Sequence, residues 1–200
     1  ISDGIDSPVA SWLFMKRGCY VDFIHFSTRE TNAKKVKNII SILGKYSPVK
    51  LRVHTVPYIK VLTAVSKSTD KKLTCVFCKR LMYRIAENFA KKMNAKAIIT
   101  GENIGQVASQ TLDNLYTNTM SIDFPLFRPL ICMDKNDTIS LAKKIGTFDT
   151  SITDARPCEF VPKGPATVTT PEKVGKEELK IKNLNRIIRD SIESSEDFEL

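Results

Sequence analysis

No apolar run in this chain approaches the roughly twenty residues needed to cross a bilayer. No basic start followed by an apolar stretch and a small-residue cleavage site marks an export signal either. Both absences point away from a membrane and towards the cytoplasm. There is no internal repeat, which excludes solenoid and propeller architectures, and no low-complexity tract, which excludes long flexible linkers. The cysteines number five, an odd count in a chain without an export signal, which argues against a disulfide framework and for thiol, metal or cluster chemistry. The first residue is Ile1 and not Met, so the chain is expected to begin part-way through a longer protein.

What is present suits one folded domain with a short appendage. The 200 residues are 42% hydrophobic and 26% charged, enough apolar material for a proper core. Thirty-one Lys and Arg against twenty-two Asp and Glu give a formal charge of +9, which favours a polyanionic partner such as RNA.

Short β-rich apolar runs alternate with longer stretches of helical spacing. Strands are predicted within 19–26, 51–56 and 95–100, and an irregular or edge strand at 125–130, where Pro125 and Pro129 interrupt it. Helices are predicted over 9–18, 32–43, 76–93, 106–115 and 134–145, with Gly18, Gly44 and Gly146 as stops. Alternation of this kind predicts a doubly wound α/β fold, a mainly parallel sheet with helices on both faces. Residues 1–160 would form this domain. Residues 161–200 would add a proline-rich extended segment and one charged amphipathic helix running from Glu172 to about Ser191. In such sheets ligands bind beyond the carboxyl ends of the strands, where Ser2, His25 and Gly101 would converge.

The opening Ile1-Ser2-Asp3-Gly4-Ile5-Asp6-Ser7-Pro8 is a small polar turn running directly into a helix. It would aim unpaired backbone N–H groups and the positive end of a helix dipole at one spot, a site for an anion such as phosphate. Asp6 suits a Mg²⁺ ion bridging phosphates or, more plainly, a helix N-cap. Ser2, Gly4 and Ser7 offer backbone and hydroxyl donors. Cys75-Val76-Phe77-Cys78 is a CxxC at a helix start, where the dipole would favour thiolate. Cys19 and Cys132 sit in apolar contexts and read as core residues.

Ser2-Asp3-Gly4-Ile5-Asp6-Ser7 resembles the SGGxDS pyrophosphate loop of the PP-loop ATP pyrophosphatases, whose fold is that of the adenine nucleotide alpha hydrolases. Thr100-Gly101-Glu102-Asn103-Ile104-Gly105-Gln106-Val107-Ala108-Ser109-Gln110-Thr111 is similar, almost letter for letter, to the TGExxGQVASQT signature of ThiI-type tRNA 4-thiouridine synthetases. Phosphate loops of this family follow a buried strand, so the first strand is expected to be truncated here. One position departs from the pattern. Asp3 stands where the family has its second glycine, placing a carboxylate beside the expected pyrophosphate.

The resemblance implies ATP and Mg²⁺ as cofactors, with Ile1, Ser2, Gly4, Ser7, His25, Phe26, Lys79, Gly101 and Gln110 around the nucleotide. It implies catalytic roles for Asp6, Lys135 and Cys158, the last as the sulfur-handling cysteine after Ala155-Arg156-Pro157. Similarity to archaeal, rhodanese-free members implies a three-thiolate iron–sulfur cluster on Cys75, Cys78 and Cys158. A zinc site, a redox disulfide and unpaired cysteines stay open beside it.

The implied reaction is ATP-dependent thiolation of a uridine in tRNA: O4 is adenylated, then sulfur displaces AMP to leave 4-thiouridine. The partners would be tRNA and a donor of sulfide or persulfide. The THUMP region that grips tRNA in full-length relatives is not within this chain, so that grip is expected from elsewhere or from a partner protein. A homodimer through the tail helix is a further expectation. Two other readings of the same residues are a degenerate PP-loop module that binds nucleotide or RNA without turnover, and a PP-loop enzyme with another substrate.

Overall fold

The computed structural model describes residues 1–28, 30–153 and 158–200, with the side chains of 30–32 also outside the description. Its element order follows directly from apolar spacing. The first helix, α1 (Asp6–Met15), buries Val9, Trp12 and Met15. β1 (Phe23–Ser27) leads to α2 (Glu30–Gly44), whose Val36, Ile39, Ile40 and Leu43 recur at helical spacing and are all buried. β2 (Arg52–Pro57) then pairs in parallel with β1, Phe23 opposite Val53 and Phe26 opposite Val56.

Side chains alternate faces along a strand, so these two strands feed two cores. Phe23 and Val53 join α1 and α2 in one apolar cluster with Trp12, Leu51, Ala142 and Ile145. Val56 sits in the other cluster, with Ile24 and Phe26 packed against it, among Tyr58, Phe77, Leu81 and Ile188. A sheet buried on both faces, with crossover helices between parallel strands, is the doubly wound arrangement expected from the sequence.

Four elements differ from expectation. A helix, α3 (Ile59–Ser68), follows β2 and buries Val61, Leu62 and Val65 on one face. It precedes α4 (Thr74–Lys92), which covers and slightly extends the helix predicted over 76–93. β3 is only Ile98–Ile99, paired in parallel with β4 (Leu126–Phe127). The helix expected over 106–115 is displaced: a 3₁₀ turn at Ala108–Gln110 is followed by α5 (Leu112–Thr119), because Thr111 caps the helix from its hydroxyl. After α6 (Lys135–Ile145), which has the expected Asp134 cap and left-handed Gly146, comes a short unanticipated α7 (Phe148–Ile152).

The tail is not one helix. It divides into α8 (Pro171–Glu178) and α9 (Leu184–Glu193), then β5 (Glu196–Glu199), which pairs antiparallel with β2. Asn183 takes the left-handed conformation, φ 57°, between the two helices, and this breaks the continuous spacing read from the sequence. Among the described residues no helix is long and apolar enough to cross a membrane.

Candidate active site

The turn before α1 is held closed by its own serines. Ser2 N–H donates to Ser7 Oγ at 2.8 Å, the two hydroxyls lie 2.9 Å apart, and Gly4 N–H points at Ser2 Oγ at 3.3 Å. No side chain caps the helix start, and Asp6 is its first residue, so the N-cap reading of Asp6 is corrected. The first-turn N–H groups therefore have no side-chain acceptor and face the site at the positive end of the dipole.

Two cation and amide donors converge on Asp6. The Lys135 ammonium, from the first residue of α6, donates to Oδ1 at 2.6 Å, and Gln106 Nε2 donates to Oδ2 at 2.9 Å. Lys135 and Asp6 are thus brought together across 129 residues. Gln106 was not anticipated, although it lies in the glycine-flanked stretch the sequence marks.

Gly101 lies in the loop after β3, against the first residues of α1. A β-carbon there would meet Ser7 N at 2.7 Å and Asp6 C at 2.8 Å, so only glycine permits this approach. Gln110 is buried and works inward: its Oε1 accepts from Asn103 N–H at 3.3 Å, and its backbone oxygen accepts from Gly105 N–H at 3.0 Å. Asn103 Nδ2 in turn donates to Met133 O at 2.6 Å. The 101–111 loop is consequently latched to itself and to the segment before α6.

At the end of β1 the Ile1 amino group donates to Ile24 O at 2.6 Å and Ile1 O lies 3.2 Å from His25 Nδ1. Burial pushes the imidazole pKa of His25 down, and among the described residues its buried Nε2 has no hydrogen-bond partner. Such an atom is a ready hydrogen-bonding position for a ligand. Phe26 instead packs edge-on against Tyr58, centroids 5.0 Å apart.

Glu102 was missed by sequence reasoning. It is 1% exposed and accepts on Oε2 from Tyr83 OH, Thr100 Oγ1 at 3.0 Å and Arg128 Nε at 2.9 Å. Its Oε1 has no hydrogen bond and lies 4.0 Å from Lys79 Nζ. Burial pushes this carboxyl up, but the Lys79 charge, the Tyr83 hydroxyl and Arg128 outweigh it and hold it below the ordinary carboxylate value. Lys79 is thereby fixed between Glu102 and the thiols of α4.

Cys75 and Cys78 lie on the first turns of α4, Cys158 is exposed, and the Cys158 charge acts on both of the α4 thiols. Burial first, then Cys158, raises the Cys75 thiol; burial raises Cys78 to about 12 despite the opposing Lys79 charge. The expected thiolate at the helix start is therefore corrected, because desolvation exceeds the dipole. Thiols in one neighbourhood suit a thiophilic metal by donor type. Among the described residues, however, no three Cys, His, Asp or Glu side chains are arranged to hold a metal. Ala155, Arg156 and Pro157 lie outside the described residues. Cys19 and Cys132 are exposed, not core residues.

Residues 1–183 match the family model described as thiamine biosynthesis protein (ThiI). A probable tRNA sulfurtransferase of Methanocaldococcus jannaschii is 41% identical over 91% of this chain and 49% of its own length. One from Acetivibrio thermocellus is 39% identical over 98% of this chain and 51% of its own. A crystal structure of a 4-thiouridine synthetase–RNA complex with bound ATP superposes with a TM-score of 0.96 at 37% identity, over 100% of this chain and 54% of that one. The chain spans about half the length of the curated relatives it matches.

Proposed function

The chain belongs to the ThiI family, and on that premise we propose that it carries the ATP-using centre of a tRNA 4-thiouridine synthetase. The observation that carries this reading is the uncapped start of α1, approached by the Gly101 backbone and faced by Asp6 and Lys135. That arrangement suits a pyrophosphate group. A solved relative that superposes over the whole chain is described with ATP and RNA bound.

In this reading Ser2, Gly4 and Ser7 donate to pyrophosphate, while Ile1, His25 Nε2, Phe26 and Gly101 surround the nucleoside, with Gln110 holding their loop. Asp6 is the carboxylate that would hold Mg²⁺, which when bound neutralises phosphate charge. Lys135 and Lys79 stabilise charge developing on the α-phosphate as uridine O4 attacks it and pyrophosphate leaves. A uracil oxygen leaves poorly until it is phosphorylated, so adenylation precedes thiolation. Sulfide would attack C4 directly as AMP departs. From a persulfide donor, the outer sulfur would instead pass to the exposed Cys158 thiolate as the donor's thiolate leaves. The Cys158 persulfide would then displace AMP from C4, and a second thiol would form a disulfide with Cys158 and release 4-thiouridine. An iron–sulfur cluster, if bound, would be held by the thiolates of Cys75, Cys78 and Cys158, a donor type that suits iron, although among the described residues these side chains are not arranged around a metal.

The charge of +9 supports salt-sensitive RNA contact. We assign specific grip on tRNA to a THUMP-type region or a partner protein, place the reaction in the cytoplasm, and regard residues 1–160 as the PP-loop unit with 161–200 as its appendage. A homodimer is part of the same proposal.

Incubation with unmodified tRNA, ATP, Mg²⁺ and sulfide should release AMP and form 4-thiouridine. Absence of AMP when the THUMP-type region is also supplied would overturn the enzyme reading in favour of a binding module, to which Asp3 lends support. Pyrophosphate release dependent on a substrate other than tRNA would point instead to a different PP-loop reaction.

A further inference from the structure

The carboxylate of Asp3 sits in the turn before α1, where it would repel a bound pyrophosphate. It does not stand alone. Lys35, on α2, places its Nζ 3.9 Å from Asp3 Oδ2, with the two side chains 13% and 32% exposed, so screening by water is incomplete. The same ammonium donates to Ser151 O at 2.9 Å and Thr153 O at 2.7 Å, the carbonyls at the end of α7. Ser151, itself buried, donates from Oγ to Gly4 O at 3.3 Å. Three segments distant in sequence therefore meet at the turn: the turn itself, α2 and the end of α7.

The hydrogen-bond geometry explains why this lysine is held where it is. Two carbonyl acceptors at the C-terminal end of a helix fix an ammonium and favour its charge. With both acceptors neutral, the positive charge is left to offset a nearby anion, and among the described residues the ion pair it makes is with Asp3. A lysine bonded only to Asp3 would swing towards an incoming phosphate; one anchored on two carbonyls keeps its position.

We propose that Lys35 is a positioning residue of the phosphate site: its ammonium, fixed by the end of α7, neutralises Asp3 so that the turn accepts pyrophosphate despite a carboxylate where the ThiI pattern has glycine. This rests on the reading of the turn as a pyrophosphate site. Asp3 and Lys35 then form a compensated pair, and removing either alone has unequal consequences. Losing Lys35 leaves an uncompensated carboxylate at the site. Losing Asp3 leaves an ammonium, which an anion tolerates.

The test is a set of four proteins: the unaltered chain, K35M, D3G and D3G/K35M, each titrated with inorganic pyrophosphate and with ATP in Mg²⁺ and followed by thermal melting. K35M should weaken pyrophosphate about tenfold, D3G should change it less than about threefold, and K35M added to D3G should cost less than about threefold. A purely structural role for Lys35 predicts the same loss in both backgrounds, which would overturn the proposal. So would no effect of K35M on affinity, or a tenfold gain from D3G alone. If none of the four folded proteins binds pyrophosphate, the reading of the turn falls and this inference with it. If the unaltered chain binds and K35M binds equally, only the inference falls.

Discussion

A β-carbon on Gly101 would lie 2.7 Å from the backbone nitrogen of Ser7, so the loop after β3 and the first turn of α1 touch backbone to backbone. Gly101→Ala must push one of them away, since neither contact atom is the end of a flexible side chain. The expected cost is about 1–3 kcal/mol of stability, together with a loss of ATP affinity. Gly105→Ala provides the contrast: Gly105 has φ 72° but nothing within 4 Å of its added β-carbon. It should lose about 1 kcal/mol through backbone strain with little change in affinity. Denaturant melts and nucleotide titration on both variants check the pair.

Much of this geometry was legible beforehand. The turn and the CxxC stand out by residue type and spacing, and the 100–111 stretch by its resemblance to the ThiI signature. The partners of those residues were not legible. Gln106, Glu102, Arg128 and Lys35 reach the site through side chains whose destinations depend on packing between elements up to about a hundred residues apart. Arg128 lies between Pro125 and Pro129, directly after the two-residue β4, and carries no local signal. The tail was misread for a different reason. Its apolar spacing is helical on both sides of the 179–183 turn, which ends in the left-handed Asn183 and separates α8 from α9. β5 is acidic apart from Phe198, so its pairing with β2 could not be seen from hydrophobic alternation.

Lys135 and Asp6 predict opposite changes in two measurements. Because the ammonium occupies Asp6 Oδ1 at 2.6 Å, Lys135→Met removes a competitor for the carboxylate. Mg²⁺ should then bind about 3–10-fold more tightly by the Coulomb cost of the displaced charge. AMP formation should nevertheless fall about 10²–10³-fold, as expected for loss of a charge that stabilises the transferring phosphate. Asp6→Asn should weaken Mg²⁺ binding and lower turnover together. A Lys135→Met protein with unchanged Mg²⁺ affinity and normal AMP release would remove Lys135 from the mechanism.

Glu102 makes a prediction about acid. Its carboxyl is held below the ordinary value in the folded chain, with Lys79, Tyr83 and Arg128 outweighing burial. A group whose pKa is depressed on folding contributes stability above its unfolded pKa, and that contribution is lost as pH falls through the folded one. The difference in unfolding free energy between the wild-type chain and Glu102→Gln should thus be largest near neutrality, about 2–4 kcal/mol for breaking a buried charged network. It should shrink steadily below about pH 4.5, the ordinary carboxylate range. Urea melts at a series of pH values measure it, and a difference independent of pH would mean that Glu102 acts by packing alone.

The thiols should separate by reactivity. Alkylation requires thiolate, and burial pushes the Cys78 thiol up to about 12 and raises Cys75 as well, with Lys79 opposing in both. Cys158, Cys19 and Cys132 are exposed. Iodoacetamide at pH 8 should therefore modify those three first, and Cys78 last. Lys79→Met removes a charge that favours thiolate on α4, so it should slow Cys75 and Cys78 further while leaving Cys19 and Cys132 unchanged. Peptide mass spectrometry over a time course resolves each site. Anaerobic reconstitution with iron and sulfide gives the complementary measurement: if Cys75, Cys78 and Cys158 hold a cluster, all three become protected while Cys19 and Cys132 stay reactive. Unchanged labelling of Cys158 after reconstitution would leave that thiol to sulfur transfer and exclude it from the cluster.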